Sequence, residues 1–208
     1  MLVHGAGSGP WVFERWPPFF PGVETTRVDL QQGRDVGTAS MHDYADVVVA
    51  TARRLPPPVA LCGWSMGGLV ALLAAERVRP TGIVLVEPSP PAEVQGVHAA
   101  IRPSAGSFDP EQVYGRFPPG MAPRPESALA RDERKRGIPV RSVPCGSLVV
   151  FGKDFPDERG RRIAALYGSD ELAFPDLDHW GLVLDPSVPE AVARWLGVAR
   201  RSSTLPAR

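Results

Sequence analysis

Ser65, His179 and the carboxylates near the ends of two apolar runs are the side chains of this chain that could attack a carbonyl group. Gly63-Trp64-Ser65-Met66-Gly67-Gly68 follows the apolar run 59–62 and precedes a second run, 69–75, that reads as helical. A Gly-x-Ser-x-Gly between a strand and a helix makes a turn so tight that the residues flanking the serine must be small. The serine is then expected at the tip of a sheet, with Oγ clear of its own backbone. The Met66 amide, at the start of the helix, is expected to face the point where an oxyanion forms.

Nucleophilic serine chemistry needs three more parts, and the chain has candidates for each. Upstream, Leu2-Val3-His4-Gly5-Ala6-Gly7-Ser8-Gly9 begins apolar and ends in a glycine-rich loop. His-Gly-x-Gly after a strand delivers a second oxyanion donor, here the Ala6 amide. His4 reads as a brace for this loop through its ring nitrogens rather than as a catalytic group. Downstream, Phe174-Pro175-Asp176-Leu177-Asp178-His179-Trp180-Gly181 is a short strand running into a loop. A general base belongs there, where it can reach across the sheet to Ser65. Asp176 and Asp178 are too close to His179 in sequence and read as turn caps. The acid that orients the base is expected at the end of the strand 147–151, where Asp154 is the first choice. Asp157 on the following turn and Glu87 at the end of the preceding strand are the alternatives.

With these residues in view, the chain resembles the α/β-hydrolase superfamily, whose order is His-Gly-x-Gly, Gly-x-Ser-x-Gly, acid, His. The match runs from Leu2 to about Gly197. It looks most like the small bacterial esterase-, lipase- and haloperoxidase-like members, which often carry Gly-x-Ser-Met-Gly-Gly. The resemblance implies Ser65 as nucleophile, His179 as base, Asp154 as acid, and Ala6 and Met66 as backbone donors. It implies a small-molecule substrate and no cofactor. A serine at position 65 disfavours the epoxide hydrolases and haloalkane dehalogenases of the family, which use aspartate there. Family members usually have two further strands before the glycine loop, so the sheet should have about six strands rather than eight.

The elements that must position these residues alternate. Strands are expected at 1–3, 25–30, 59–62, 82–87, 147–151 and 171–174. Helices are expected over 12–20, 41–55, 67–77 and 157–167, with a last one at 191–196. This alternation predicts a parallel sheet with helices on both faces and a ligand site beyond the carboxyl ends of the strands. The fold expected is a compact α/β-hydrolase domain, with its core from residues 1–87 and 145–199. The proline-rich stretch 88–144 is too long for a simple connection. It reads as a small cap over the serine with helices near 92–101 and 126–136, and 200–208 reads as a frayed tail. Candidate pocket residues are His4, Gly5, Trp11, Trp64, Phe117, Met121 and Trp180.

The chain has 208 residues, enough for one domain, and its 23 basic and 23 acidic residues balance. That balance argues against a nucleic-acid partner. Cys62 and Cys145 make no metal pattern and read as free thiols. No apolar run approaches the roughly 20 residues of a membrane span, and the start lacks a basic-then-apolar leader, so the cytoplasm is the expected location. Ester, thioester or lactone cleavage is the function these residues favour. The same residues could run acyl transfer, cyclisation or lyase chemistry if water is excluded, and a ligand receptor without catalysis is the third reading.

Overall fold

The structure is a computed structural model that describes residues 1–95, 124–153, 155 and 157–198. Short apolar runs between glycine and proline turns form six strands among these residues. They are β1 (Leu2–Val3), β2 (Arg27–Val28), β3 (Leu61–Trp64), β4 (Ile83–Val86), β5 (Ser147–Gly152) and β6 (Asp170–Phe174). All pair in parallel, in the order β2-β1-β3-β4-β5-β6.

Side chains alternate between the two faces of the sheet, and both faces are covered. Val3, Leu61, Ile83, Leu85, Val149 and Phe151 enter one apolar cluster, with α1 (Met41–Ala52) and α2 (Met66–Val78). Leu2, Cys62, Trp64, Val84, Val86 and Val150 enter the other, with Trp11, Trp16 and the C-terminal helices. The remaining helices are α3 (Ala92–Gln95), α4 (Ala128–Arg136), α5 (Asp157–Tyr167), α6 (Gly181–Leu184) and α7 (Ser187–Trp195). Ser40 and Asp43 start α1 with reciprocal bonds: the Asp43 amide donates to Ser40 Oγ at 3.0 Å and the Ser40 amide to Asp43 Oδ2 at 2.9 Å.

Several boundaries differ from the sequence expectation. In place of a helix over 12–20 there are two 3₁₀ turns, Pro10–Phe13 and Pro17–Phe19. Pro17 and Pro18 have no N–H to continue a helical ladder. The segment is tied down by side chains instead: the fully buried Trp16 donates its indole N–H to Val183 O at 2.8 Å. The strand expected over 25–30 has only two residues, because Asp29 turns the chain by accepting the Gln31 amide at 3.1 Å. The last helix begins at Ser187, earlier than expected, with Pro189 in its first turn.

Of the 88–144 stretch, α3 and α4 are described, and residues 96–123 lie outside the described residues. The returning arm is anchored to the core at several points. Ser127 Oγ donates to Ala39 O, the Met41 amide donates to Glu133 Oε2 at 2.7 Å, and the Ala92 amide donates to Ile138 O at 2.9 Å.

The strand order locates the ligand site. From β1 the chain moves outward to β2, then crosses back to β3 and continues to the other side. The loops leaving β1 and β3 therefore diverge, opening a crevice at the carboxyl ends of these two strands. These are the glycine loop after Val3 and the turn at Ser65.

Candidate active site

Ser65 stands between β3 and α2 with φ 55° and ψ −123°. Serine rarely adopts a positive φ, and such strain costs about 1–3 kcal/mol. Its surroundings hold it there. The Ser65 amide donates to Val86 O at 3.0 Å, while Ser65 O accepts from the Gly68 amide at 3.0 Å and the Ser89 amide at 2.9 Å. The motif glycines have steric causes. A Cβ on Gly63 would lie 2.2 Å from Gly67 O, and one on Gly67 would lie 2.1 Å from Val3 O. Only glycines let α2 start this close to β1 and β3, which puts the Met66 amide beside the serine.

The glycine loop passes directly against the nucleophile. A Cβ on Gly5 would sit 3.0 Å from Ser65 Cβ. Gly5 O accepts two hydrogen bonds, one from His4 Nδ1 at 2.9 Å and one from Ser8 Oγ at 2.9 Å. In a trans peptide the carbonyl and the following N–H point in opposite directions. Pinning Gly5 O therefore sets the direction of the Ala6 amide. Among the described residues, no backbone carbonyl accepts from the Ala6 or the Met66 amide.

His4 is 1% exposed, and both ring nitrogens are engaged. The Leu30 amide donates to Nε2 at 3.2 Å, so Nε2 is the acceptor and Nδ1 carries the proton. Burial pushes His4 down to about 4, and a protonated Nε2 would face the Leu30 N–H. His4 lies beneath the loop as a brace, not in the wall of a pocket.

His179 follows β6 in a loop that crosses the end of β5. Lys153 donates its amide to Leu177 O at 2.8 Å, and a Cβ on Gly152 would lie 2.3 Å from that same oxygen. Asp178 accepts the Gly181 amide at 2.6 Å and starts α6, the capping role expected for it. His179 Nδ1 donates to Glu87 Oε2. Glu87 is 3% exposed and its Oε1 accepts the Gly152 amide at 3.0 Å. With the proton on Nδ1, the lone pair of the neutral imidazole is on Nε2. Asp154 lies outside the described residues, as does the side chain of Asp157. The carboxylate that the described residues bring to His179 is Glu87, the distant alternative in the sequence.

Trp64 packs against the histidine and links it to two further tryptophans. The Trp64 ring is 4.8 Å from the His179 ring and 4.6 Å from Trp180, and Trp180 stacks on Trp11 at 6.4 Å. Trp64 is 1% exposed and Trp11 6%, so both lie under the site, while Trp180 is half-buried. Phe117 and Met121 lie outside the described residues. Sequence reasoning passed over Ser8, Asp29 and Arg124. The Arg124 amide donates to Gly7 O at 3.1 Å and its guanidinium meets Asp29 Oδ1 at 2.6 Å. Burial acts to raise the Asp29 carboxyl, but the hydrogen bonds from Arg124 and the Gln31 amide hold it below its ordinary value. Only the position of Ser8, three residues after Gly5, could have been read as a loop signal. Among the described residues no group of three or more His, Cys, Asp or Glu could hold a metal ion, and no helix is long and apolar enough to cross a membrane.

Together a strained serine, two amides directed by their surroundings and a carboxylate-paired imidazole can activate a hydroxyl and stabilise an oxyanion. Comparison with known proteins agrees with that chemistry. A pimeloyl-[acyl-carrier protein] methyl ester esterase of Serratia marcescens is 30% identical over 98% of this chain and 82% of its own length. One from Aromatoleum aromaticum is 33% identical over 43% of this chain and 37% of its own length. The fold is shared with polyneuridine aldehyde esterase, at TM-score 0.65 and 18% identity, covering 94% of this chain and 97% of that one. It is shared too with a thermophilic esterase from Thermogutta terrifontis, at TM-score 0.64 and 21% identity, covering 94% and 88%. The model of the alpha/beta hydrolase family matches residues 1–206, and the chain belongs to that family.

Proposed function

We propose that this hydrolase is a serine esterase in which Ser65 is the nucleophile, His179 the general base and Glu87 the acid. The observation that carries the reading is the buried Glu87–His179 pair, whose imidazole lies against Trp64, the residue before a serine held at positive φ. In the proposed reaction Ser65 Oγ attacks the ester carbonyl carbon as its proton passes to His179 Nε2. The amides of Ala6 and Met66 take the oxyanion, each worth about 3 kcal/mol in the transition state. Collapse breaks the bond to the alcohol oxygen, which leaves with the proton from Nε2. A water, deprotonated by the same nitrogen, then attacks the acyl-enzyme and releases the acid and Ser65. Glu87 remains ionised, holding the Nδ1–H and stabilising the imidazolium.

Small-molecule esters are the proposed substrates. Methyl esters of acyl chains are the first to try, because a relative matching nearly the whole chain is named a methyl ester esterase. The stretch 88–144 is proposed as the cap that shapes the acyl side, supported by the anchoring of its returning arm at Gly7 and Ala39. The test is hydrolysis of p-nitrophenyl acetate and butyrate beside Ser65→Ala. A drop of about 10⁴-fold or more in kcat is expected, and equal rates for the two proteins would overturn the reading.

A further inference from the structure

Trp64 touches every moving part of the proposed reaction, although it is 1% exposed and has no place among the reacting groups. Its backbone is covalently next to Ser65 and pairs with Val86, one residue before Glu87. Its indole N–H donates to His179 O at 3.1 Å. Its ring lies 4.8 Å from the imidazole, tilted by 32°. On its other flank the ring defines how close the glycine loop can come: a Cβ on Gly5 would fall 2.8 Å from Trp64 Cε3. One residue thus adjoins the nucleophile through its backbone and meets the base loop and the oxyanion loop through its ring.

We propose that Trp64 is a positioning residue, a rigid spacer that sets the distances between Ser65, His179 and the Ala6 amide. This inference rests on the esterase reading above. The physical reason is that the three loops leave three different strands, and backbone pairing alone ends before it reaches them. Val3↔Gly63 is the last pairing of β1 with β3, and Trp64↔Val86 the last of β3 with β4. Beyond those points backbone bonds still tie Ser65 to Val86 and Ser89, but among the described residues none joins the glycine loop or the His179 loop to Ser65. An indole has two χ angles and a flat rigid frame, so it transmits position with little loss. An error of about 1 Å in such a constellation can cost about 100-fold in rate.

The test uses Trp64→Phe, Trp64→Leu, Gly5→Ala and the Gly5→Ala/Trp64→Leu double variant, with kcat and KM measured on p-nitrophenyl butyrate. Trp64→Phe keeps a ring beside the imidazole but loses the bond to His179 O. It should lower kcat about 10-fold, the loss expected for one hydrogen bond made in a buried site. Trp64→Leu should lower kcat about 100-fold. In both, KM should stay within about threefold, because misplacement of reacting groups acts on the transition state. Gly5→Ala should lower kcat strongly in the parent and less on top of Trp64→Leu, because the clash with Cε3 is gone and the 3.0 Å approach to Ser65 Cβ remains. That non-additivity reports the contact between ring and loop, and the split between kcat and KM separates positioning from packing. Should Trp64→Leu fail to fold, Trp64→Phe carries the test alone through its kcat-against-KM split. Variants that keep kcat within twofold of the parent, or lose activity through KM alone, would overturn the inference and leave the esterase reading standing. A parent without Ser65-dependent turnover would overturn both.

Discussion

Glu87 reaches His179 from the strand next to the one that carries the nucleophile. It follows β4, the neighbour of β3, and its Oε2 accepts from His179 Nδ1 while Oε1 accepts from the Gly152 amide. Glu87 itself has φ 41°, so two adjacent strands are each followed by a strained residue, Ser65 after β3 and Glu87 after β4. The Glu87 amide is held by Val150 O at 2.7 Å, which ties this corner to β5.

Replacing Glu87 by Gln keeps the shape but removes the charge that selects the Nδ1–H tautomer. It should lower kcat about 10³–10⁴-fold with little change in KM. Asp154→Asn should leave kcat within a few-fold of the parent. Steady-state kinetics on p-nitrophenyl butyrate compare the two, and a larger loss in Asp154→Asn would return the acid to β5.

His4 predicts a pH effect on stability. In the unfolded chain the imidazole binds a proton below about 6.5, whereas in the native protein it stays neutral down to about 4. Across that window the unfolded state binds more protons, so stability falls as pH drops, by about 3 kcal/mol in all from this one group. Urea unfolding of the parent and His4→Asn at pH 7 and pH 4 should show the parent's advantage shrinking by that amount. An advantage independent of pH would contradict it.

The elbow glycines should differ sharply from loop glycines. Gly67→Ala puts a Cβ 2.1 Å from Val3 O, a backbone atom that cannot step aside. The expected cost is about 3 kcal/mol or more. At Gly146 an added Cβ would meet nothing within 4 Å, so alanine there should cost no more than about 0.5 kcal/mol. Denaturant midpoints of the two variants measure the contrast.

The Arg124–Asp29 pair joins the returning arm of the 88–144 stretch to the foot of the glycine loop. Each side chain is 28% exposed, so the pair is partly screened and its loss in Asp29→Asn should cost about 1 kcal/mol or less. The difference between parent and variant should shrink as salt is raised to about 1 M. An equal difference at low and high salt would show that the ionic part contributes nothing.

Much of this was legible in the sequence, for reasons that differ from residue to residue. The six parallel strands followed from apolar runs punctuated by Gly and Pro, and the turn at Ser65 from glycines whose absence of Cβ the packing demands. The brace at His4 could be read because a histidine before a glycine loop has both ring nitrogens within reach of backbone. The partner of His179 could not be found by proximity in sequence. Glu87 and His179 are 92 residues apart and meet only because β4 lies between β3 and β5, a fact of sheet order that no local pattern records. The helix expected over 12–20 is replaced by 3₁₀ turns at Pro10–Phe13 and Pro17–Phe19, because Pro17 and Pro18 lack the N–H that a helical ladder needs.

The connection after β5 begins at Gly152, where the loop that carries His179 crosses the end of the strand. Leu177 O passes over Gly152, where a Cβ would lie 2.3 Å from it, and accepts the Lys153 amide at 2.8 Å. The missing Cβ at this one crossing therefore sets how near the loop of His179 can lie to the end of β5.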